Sequence, residues 1–235
     1  MGDSWDGVAR AYDRVSRESR AHRDKIERVA SLVRASNARC ILDVGCGSGV
    51  LEARLYADGF AGTVTAIDSS AEMITLARTA ARGYPVAVEQ RDLKAPLPYA
   101  DAAFECAVAI NVLFLLDDPG SVMREVHRVL AVGAPFLVVM PKPEAGSIWG
   151  FLREHFRGLG FREAVHEGGR LVAGLPAVIA TSRFQAKLDA EHARTGARYL
   201  TREETERRLG EAGFRVIAVS DIQAGNNWLF ECTPT

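Results

Sequence analysis

Apolar positions recur along this chain with two periods. Ile26, Val29, Ala30, Leu32 and Val33 fall three to four residues apart and predict a helix over about 19–34. Short apolar runs at 40–44, 63–67, 86–89, 104–110 and 135–140 predict strands, and helical segments at about 50–58, 71–82 and 119–130 alternate with them. That alternation is the signature of βαβ units and a parallel sheet. The runs at 104–110 and 135–140 are apolar at nearly every position, as expected when helices cover both sheet faces, so the sheet reads as doubly wound.

After Pro141 the rhythm breaks, and about sixty residues pass with helical rather than strand-like patterning. In the segment that follows, Thr201 reads as an N-cap with Glu204 at the third position of a capping box, and Gly213 ends the helix. Two last strands at about 215–221 and 228–232 join through Ala224-Gly225-Asn226-Asn227, which predicts a closing hairpin. The expected fold is α/β: a Rossmann-like, doubly wound, seven-stranded and mostly parallel sheet with a C-terminal antiparallel hairpin and a helical cap, in one domain.

Composition narrows the function classes. The 235 residues are 48% hydrophobic and 25% charged, with mean hydropathy −0.02, enough apolar material for a sizeable core. Net charge is −1, so the molecule as a whole offers no attraction to nucleic acid or an anionic membrane, and neither is expected as a partner. The four cysteines form no CxxC pair and no metal-ligand spacing, and read as buried reduced thiols. The opening MGDSWDGVARAYDR lacks the apolar stretch of a signal peptide, and no uncharged apolar run approaches the roughly 18–20 residues that span a bilayer, so a cytoplasmic location is expected.

The chemistry concentrates at Ile41-Leu-Asp43-Val-Gly45-Cys46-Gly47-Ser-Gly49, between a strand and a helix, where an open α/β sheet binds ligands. A dinucleotide fingerprint would place its third glycine at position 50, which is Val50. Asp43 would also repel a pyrophosphate, while it would attract a cationic ligand. Asp68 ends the next strand, where a carboxylate can accept both hydroxyls of a ribose.

These motifs, with Ala-Ile-Asp68-Ser-Ser-Ala-Glu-Met73, Gln90-Arg-Asp92-Leu93, Leu97-Pro-Tyr-Ala-Asp101 and Leu130-Ala-Val-Gly133, resemble the class I S-adenosylmethionine-dependent methyltransferases over about residues 39–142. The resemblance implies that Asp43 and the Gly45–Gly49 backbone, Cys46 and Gly47 included, hold the methionine portion of S-adenosylmethionine. It also implies that Asp68 meets the ribose, that Met73, Asp92 and Leu93 meet the adenine, that Asn111 lies beside the sulfonium, and that Ser69 belongs to the same cofactor-binding set. It divides the chain into an N-terminal helical cap (1–38), a cofactor-binding core (39–142), a helical lid insertion (143–199) and a last helix with the closing hairpin (200–235).

The strand leading to Asn111 lacks the Asn/Asp-Pro-Pro-Tyr/Phe sequence of relatives that methylate exocyclic or amide nitrogen. Residues 1–39 carry nine basic and six acidic side chains and residues 153–215 twelve and nine, whereas residues 40–152 carry eight and thirteen. Two basic segments flanking an acidic core point to a small acceptor, anionic and of the secondary-metabolite kind, under a closed lid. His155, on the apolar face of a helix predicted over 147–159, together with His166, Tyr12 and Tyr199, are the candidate acid/base or acceptor-side groups. Tyr12 belongs to a segment, Trp5-Asp-Gly-Val-Ala-Arg-Ala-Tyr12, that resembles the opening of ubiquinone-biosynthesis-type methyltransferases. His22, His127 and His192 read as surface residues, and no metal is expected. An NAD(P)-dependent oxidoreductase and a non-catalytic S-adenosylmethionine-binding module are the alternatives.

Overall fold

The computed structural model describes residues 5–143, 176–184, 186, 187, 190 and 199–235. Two helices lead in: α1 (Ala9–Glu18) and α2 (Arg20–Ala35), the second capped by Ser19, whose hydroxyl accepts from the His22 amide. The strands β1 (Cys40–Val44), β2 (Thr63–Asp68), β3 (Val86–Gln90), β4 (Cys106–Ile110) and β5 (Phe136–Pro141) alternate with α3 (Val50–Ala57), α4 (Ala71–Ala80) and α5 (Pro119–Val129). The chain finishes with α6 (Arg202–Glu211), β6 (Phe214–Ile222) and β7 (Asn227–Pro234), and residues 176–184 are helical.

All seven strands form one sheet in the order β3-β2-β1-β4-β5-β7-β6. The first five run parallel, and β7 is antiparallel to both β5 and β6. The strand order reverses between β1 and β4, so the loops leaving their carboxyl ends diverge and open a crevice. Alternation along the strands divides the core. Leu42, Val44, Ala107, Ala109, Phe136 and Val138 pack with α5 and α6, while Ile41, Val108, Leu137 and Val139 pack with α2 and α3. Each fully buried Leu, Ile or Phe contributes about 1.5–3 kcal/mol, so both layers hold the crevice walls firmly. By the same alternation Asp43 faces the α2/α3 side, and it is buried there.

Four expectations shift. Phe104 lies outside β4, in an isolated bridge to Leu130. The joint between the last strands is a 3₁₀ turn over Gln223–Gly225, with positive φ at Gln223 and Gly225, rather than a turn centred on the asparagines. Of the four free cysteines, Cys106 and Cys232 are buried and Cys40 and Cys46 are half-buried. His22 and His127 are half-buried, because Tyr12 covers one and Phe214 the other.

Candidate functional site

A cavity of about 350 Å³ opens at the carboxyl ends of β1, β2 and β4, within the range usual for small-molecule sites. Its floor is the turn after β1. Gly45 takes φ +72°, and a Cβ there would lie 2.4 Å from Val112 Cγ2. Only glycine allows both that conformation and that close approach. The Gly45 and Cys46 amides donate to the Ile67 carbonyl, at 2.7 and 2.9 Å, which ties the turn to β2. Gly49, at φ +77°, caps α3, and its missing Cβ lets Ala77 approach.

Asp68 is the hub of this wall. Its Oδ2 accepts from the Gly47 amide at 3.0 Å and its Oδ1 from the Ser70 amide at 2.9 Å, and burial nevertheless raises its pKa. Ser70 caps α4 by accepting from the Met73 amide. The sequence-predicted residues Gly45, Gly47, Asp68, Ser69, Met73, Asp92, Leu93 and Asn111 all line the cavity. Asp43, Cys46 and Gly49 do not: Asp43 is 2% exposed, under the loop, and Cys46 and Gly49 shape the loop itself. Arg91 and Lys94 also line the cavity, and each is paired, with Glu89 at 2.8 Å and Asp117 at 2.9 Å.

The opposite wall comes from other parts of the chain. Asn111 leaves β4 at φ +52°, its amide donating to the Val139 carbonyl. Its Oδ1 accepts from Asn227 Nδ2 at 2.8 Å, and Asn227, on β7, is 2% exposed. A buried amide pair thus sets the side chain of a left-handed residue at the mouth of the cavity. Val112, Leu115 and Leu116 continue the wall, and Trp5 and Tyr12 bound it from the N-terminal side.

That N-terminal strap is pinned to the first wall. Asp6 Oδ1 accepts from the Ser70 hydroxyl at 2.5 Å and from the Glu72 amide at 3.1 Å, and Arg10 pairs with Glu72 at 3.1 Å. The Asp6 carboxylate therefore sits at the N-terminus of α4, where amides and dipole favour negative charge. Trp5 packs edge-on against Phe184, 4.6 Å between centroids, and against Tyr12 at 5.4 Å. His22 meets the far face of Tyr12 at 6.1 Å. Burial raises the Tyr12 pKa and lowers that of His22 well below its usual value, so at neutral pH the phenol is protonated and the imidazole neutral.

Of the other candidates, Tyr199 stacks on Phe114 at 5.2 Å and stands outside the cavity lining. His155, His166 and the helix predicted over 147–159 lie outside the described residues. Among the described residues no group of three or more His, Cys, Asp or Glu could hold a metal ion, and no helix is long and apolar enough to cross a membrane. Sequence reasoning missed Asp6, Asn227 and Glu52. The first two act through partners 64 and 116 residues away, which no local pattern signals.

Residues 42–138 match the family described as a methyltransferase domain. Over that stretch the chain is similar to the class I S-adenosylmethionine-dependent methyltransferases. Among relatives, the chain is 28% identical over 156 residues to a ubiquinone/menaquinone biosynthesis C-methyltransferase of Desulfotalea psychrophila, covering 65% of this chain and 63% of that one. It is 33% identical over 152 residues to a malonyl-[acyl-carrier protein] O-methyltransferase of Pseudescherichia vulneris, covering 60% and 58%. It thus spans less than two thirds of the length of these curated relatives. The fold is shared with a Thermotoga maritima structure described as a possible histamine N-methyltransferase, at TM-score 0.63 and 17% identity, covering all of both chains.

Proposed function

We propose that the protein transfers a methyl group from S-adenosylmethionine to a small, anionic acceptor of the secondary-metabolite kind. The observation that carries this reading is the cavity itself, in which a glycine turn and Asp68 face an apolar wall across about 350 Å³. The residues present fit the cofactor. Asp68 would accept the ribose hydroxyls, Met73, Asp92 and Leu93 would border the adenine, and Gly45 and Gly47 leave room for the methionine portion. Asp43, Glu52 and Asp68 surround the loop with carboxylates, which suits a cation and opposes a pyrophosphate.

Bound S-adenosylmethionine supplies an electrophilic methyl group on sulfur. The protein's part is to hold the acceptor roughly 3–3.5 Å away in line with the bond that breaks, and to exclude water. Leu115, Leu116, Val112 and Trp5 supply an apolar bed for the acceptor's body. Arg91 and Lys94 bring positive charge to the same cavity and favour an anionic group. Tyr12, protonated at neutral pH, acts as a hydrogen-bond donor to the acceptor rather than as a base. Of the named relatives, the ubiquinone/menaquinone biosynthesis enzyme supports a small acceptor, whereas the name of the malonyl-[acyl-carrier protein] enzyme gives it a protein-borne one. A base from the segment expected as a lid, 143–199, either His155 or His166, completes the proposal.

Calorimetric titration with S-adenosylhomocysteine and, separately, NADH tests the cofactor assignment. Binding of S-adenosylhomocysteine alone is expected, and binding of NADH alone overturns the reading. Methyl-labelled cofactor incubated with pools of small acids and phenols then tests turnover. Intact cofactor binding with no labelled product from any pool would favour a non-catalytic binding module.

A further inference from the structure

The underside of the glycine turn is polar, buried and unsatisfied. Asp43 is 2% exposed and Glu52, in the first turn of α3, is 1% exposed. Asp43 Oδ1, both Glu52 carboxyl oxygens and the Ser48 hydroxyl are buried without a hydrogen-bond partner. An uncompensated buried carboxylate costs several kcal/mol, and two close together cannot both be ionised at ordinary cost. Three buried carboxyl oxygens that lack donors are relieved in one of two ways: by a proton held between the two groups or by a cation nearby.

The surroundings supply little else. The Cys46 thiol, pushed up by burial and by the neighbouring carboxylates, stays protonated. Asp68 on β2 adds negative charge, and Cys106 on β4 and Tyr56 on α3 are raised neutral groups, at about 12 each. From α2, packed on α3, come His22 and the buried Lys25. Lys25 donates to none of the three orphaned carboxyl oxygens. Gly45 and Gly47 of the same turn line the cavity.

Resting on the cofactor assignment above, we propose that Asp43 and Glu52 form a buried diacid that holds one proton when the cavity is empty and releases it to solvent when a ligand ammonium docks over the glycine turn. Glu52 thereby becomes a determinant of cofactor recognition that never touches the cofactor. Burial, reinforced for Asp43 by the charge of Glu52, holds both groups above the ordinary carboxylate range. The empty diacid therefore keeps its proton to higher pH than an exposed carboxyl would. The cation favours the ionised pair through the low-dielectric loop, and the proton leaves to the buffer, so charge and atoms balance.

Titration of the full chain with S-adenosylhomocysteine, which carries the ammonium, in two buffers of different ionisation enthalpy counts the protons exchanged. Release approaching one proton is expected, with affinity rising by up to about tenfold per pH unit while the empty diacid is protonated. The same titration with 5′-methylthioadenosine, which has the nucleoside but no ammonium, is expected to release none. Glu52→Gln is expected to abolish the release and flatten the pH slope. Glu52→Asp, a second variant should the first fail to fold, is expected to retain both. Binding of S-adenosylhomocysteine with no proton exchange, equal release with 5′-methylthioadenosine, or undiminished release from a folded Glu52→Gln protein each overturns the diacid while leaving the cofactor assignment standing. Absence of any S-adenosylhomocysteine binding overturns both.

Discussion

The two walls of the cavity are built by different means. The wall formed by β1, β2 and α4 is assembled from residues within 30 positions of one another, and backbone amides fix it: Gly45 and Cys46 to Ile67, Gly47 and Ser70 to Asp68. The opposite wall draws on the strap at 5–12, the loop after β4, and β7, and distant side-chain contacts fix it: Trp5 with Phe184, Asn227 with Asn111. A wall held by its own backbone presents one geometry to a ligand common to a whole family. One held by side chains from remote segments can change its shape by single substitutions, which suits the part of a site that must differ between acceptors.

The contrast can be broken at its strongest point first. Gly45→Ala forces a Cβ into Val112 at a left-handed position and is expected to destabilise the fold by roughly 2–4 kcal/mol. A thermal scan within a degree of the parent would show the turn to be adjustable. Asp68→Ala removes the acceptor of two amides, and is expected to weaken S-adenosylhomocysteine about 100-fold, near 2.7 kcal/mol, by calorimetry. A loss under fivefold would dethrone Asp68.

On the other wall the effects are smaller. Asn227→Ala is expected to cost about 1–2 kcal/mol in denaturant titration, through a broken buried amide pair, with S-adenosylhomocysteine binding changed less than threefold. Trp5→Ala is expected to leave that binding similarly intact while trypsin cuts several-fold faster at Arg10 and Arg14. If it weakens the cofactor as much as Asp68→Ala does, the two walls are one unit.

The smallest effect concerns pH. The Ser70 hydroxyl, then the Glu72 amide, lowers the Asp6 pKa. A carboxyl whose folded pKa is depressed contributes stability above its unfolded pKa and loses it as pH falls through the folded value. Cleavage at Arg10 by an acid-tolerant protease or hydrogen exchange of the strap should therefore stay slow down to about pH 4 and rise below it. Asp6→Asn should remove the inflection.

Much of the first wall was legible because short-range rules govern it. Apolar runs gave β1, β2 and β4, glycine spacing gave the turn, and away from that wall Thr201 caps α6 as its spacing to Glu204 predicts. The second wall was not, since nothing near Asn227 or Asp6 in sequence announces a partner. His22 shows the same limit: its own helix is charged, and only the fold brings Tyr12 over it. Glu52 carries no local signal either: only the fold buries it, at 1% exposure, beside Asp43.

β7 is an interior strand in space, between β5 and the edge strand β6, and the last strand in sequence. Leu229, Phe230 and Cys232 are buried between β5 and β6, and the pairing of β7 with β5 spans about ninety residues. During synthesis, then, the chain cannot seal its sheet when its five parallel strands have emerged from the ribosome. Phe136 and Val138 wait for Cys232 and Phe230, leaving β5 as a bare apolar edge for that interval, a natural client for a chaperone.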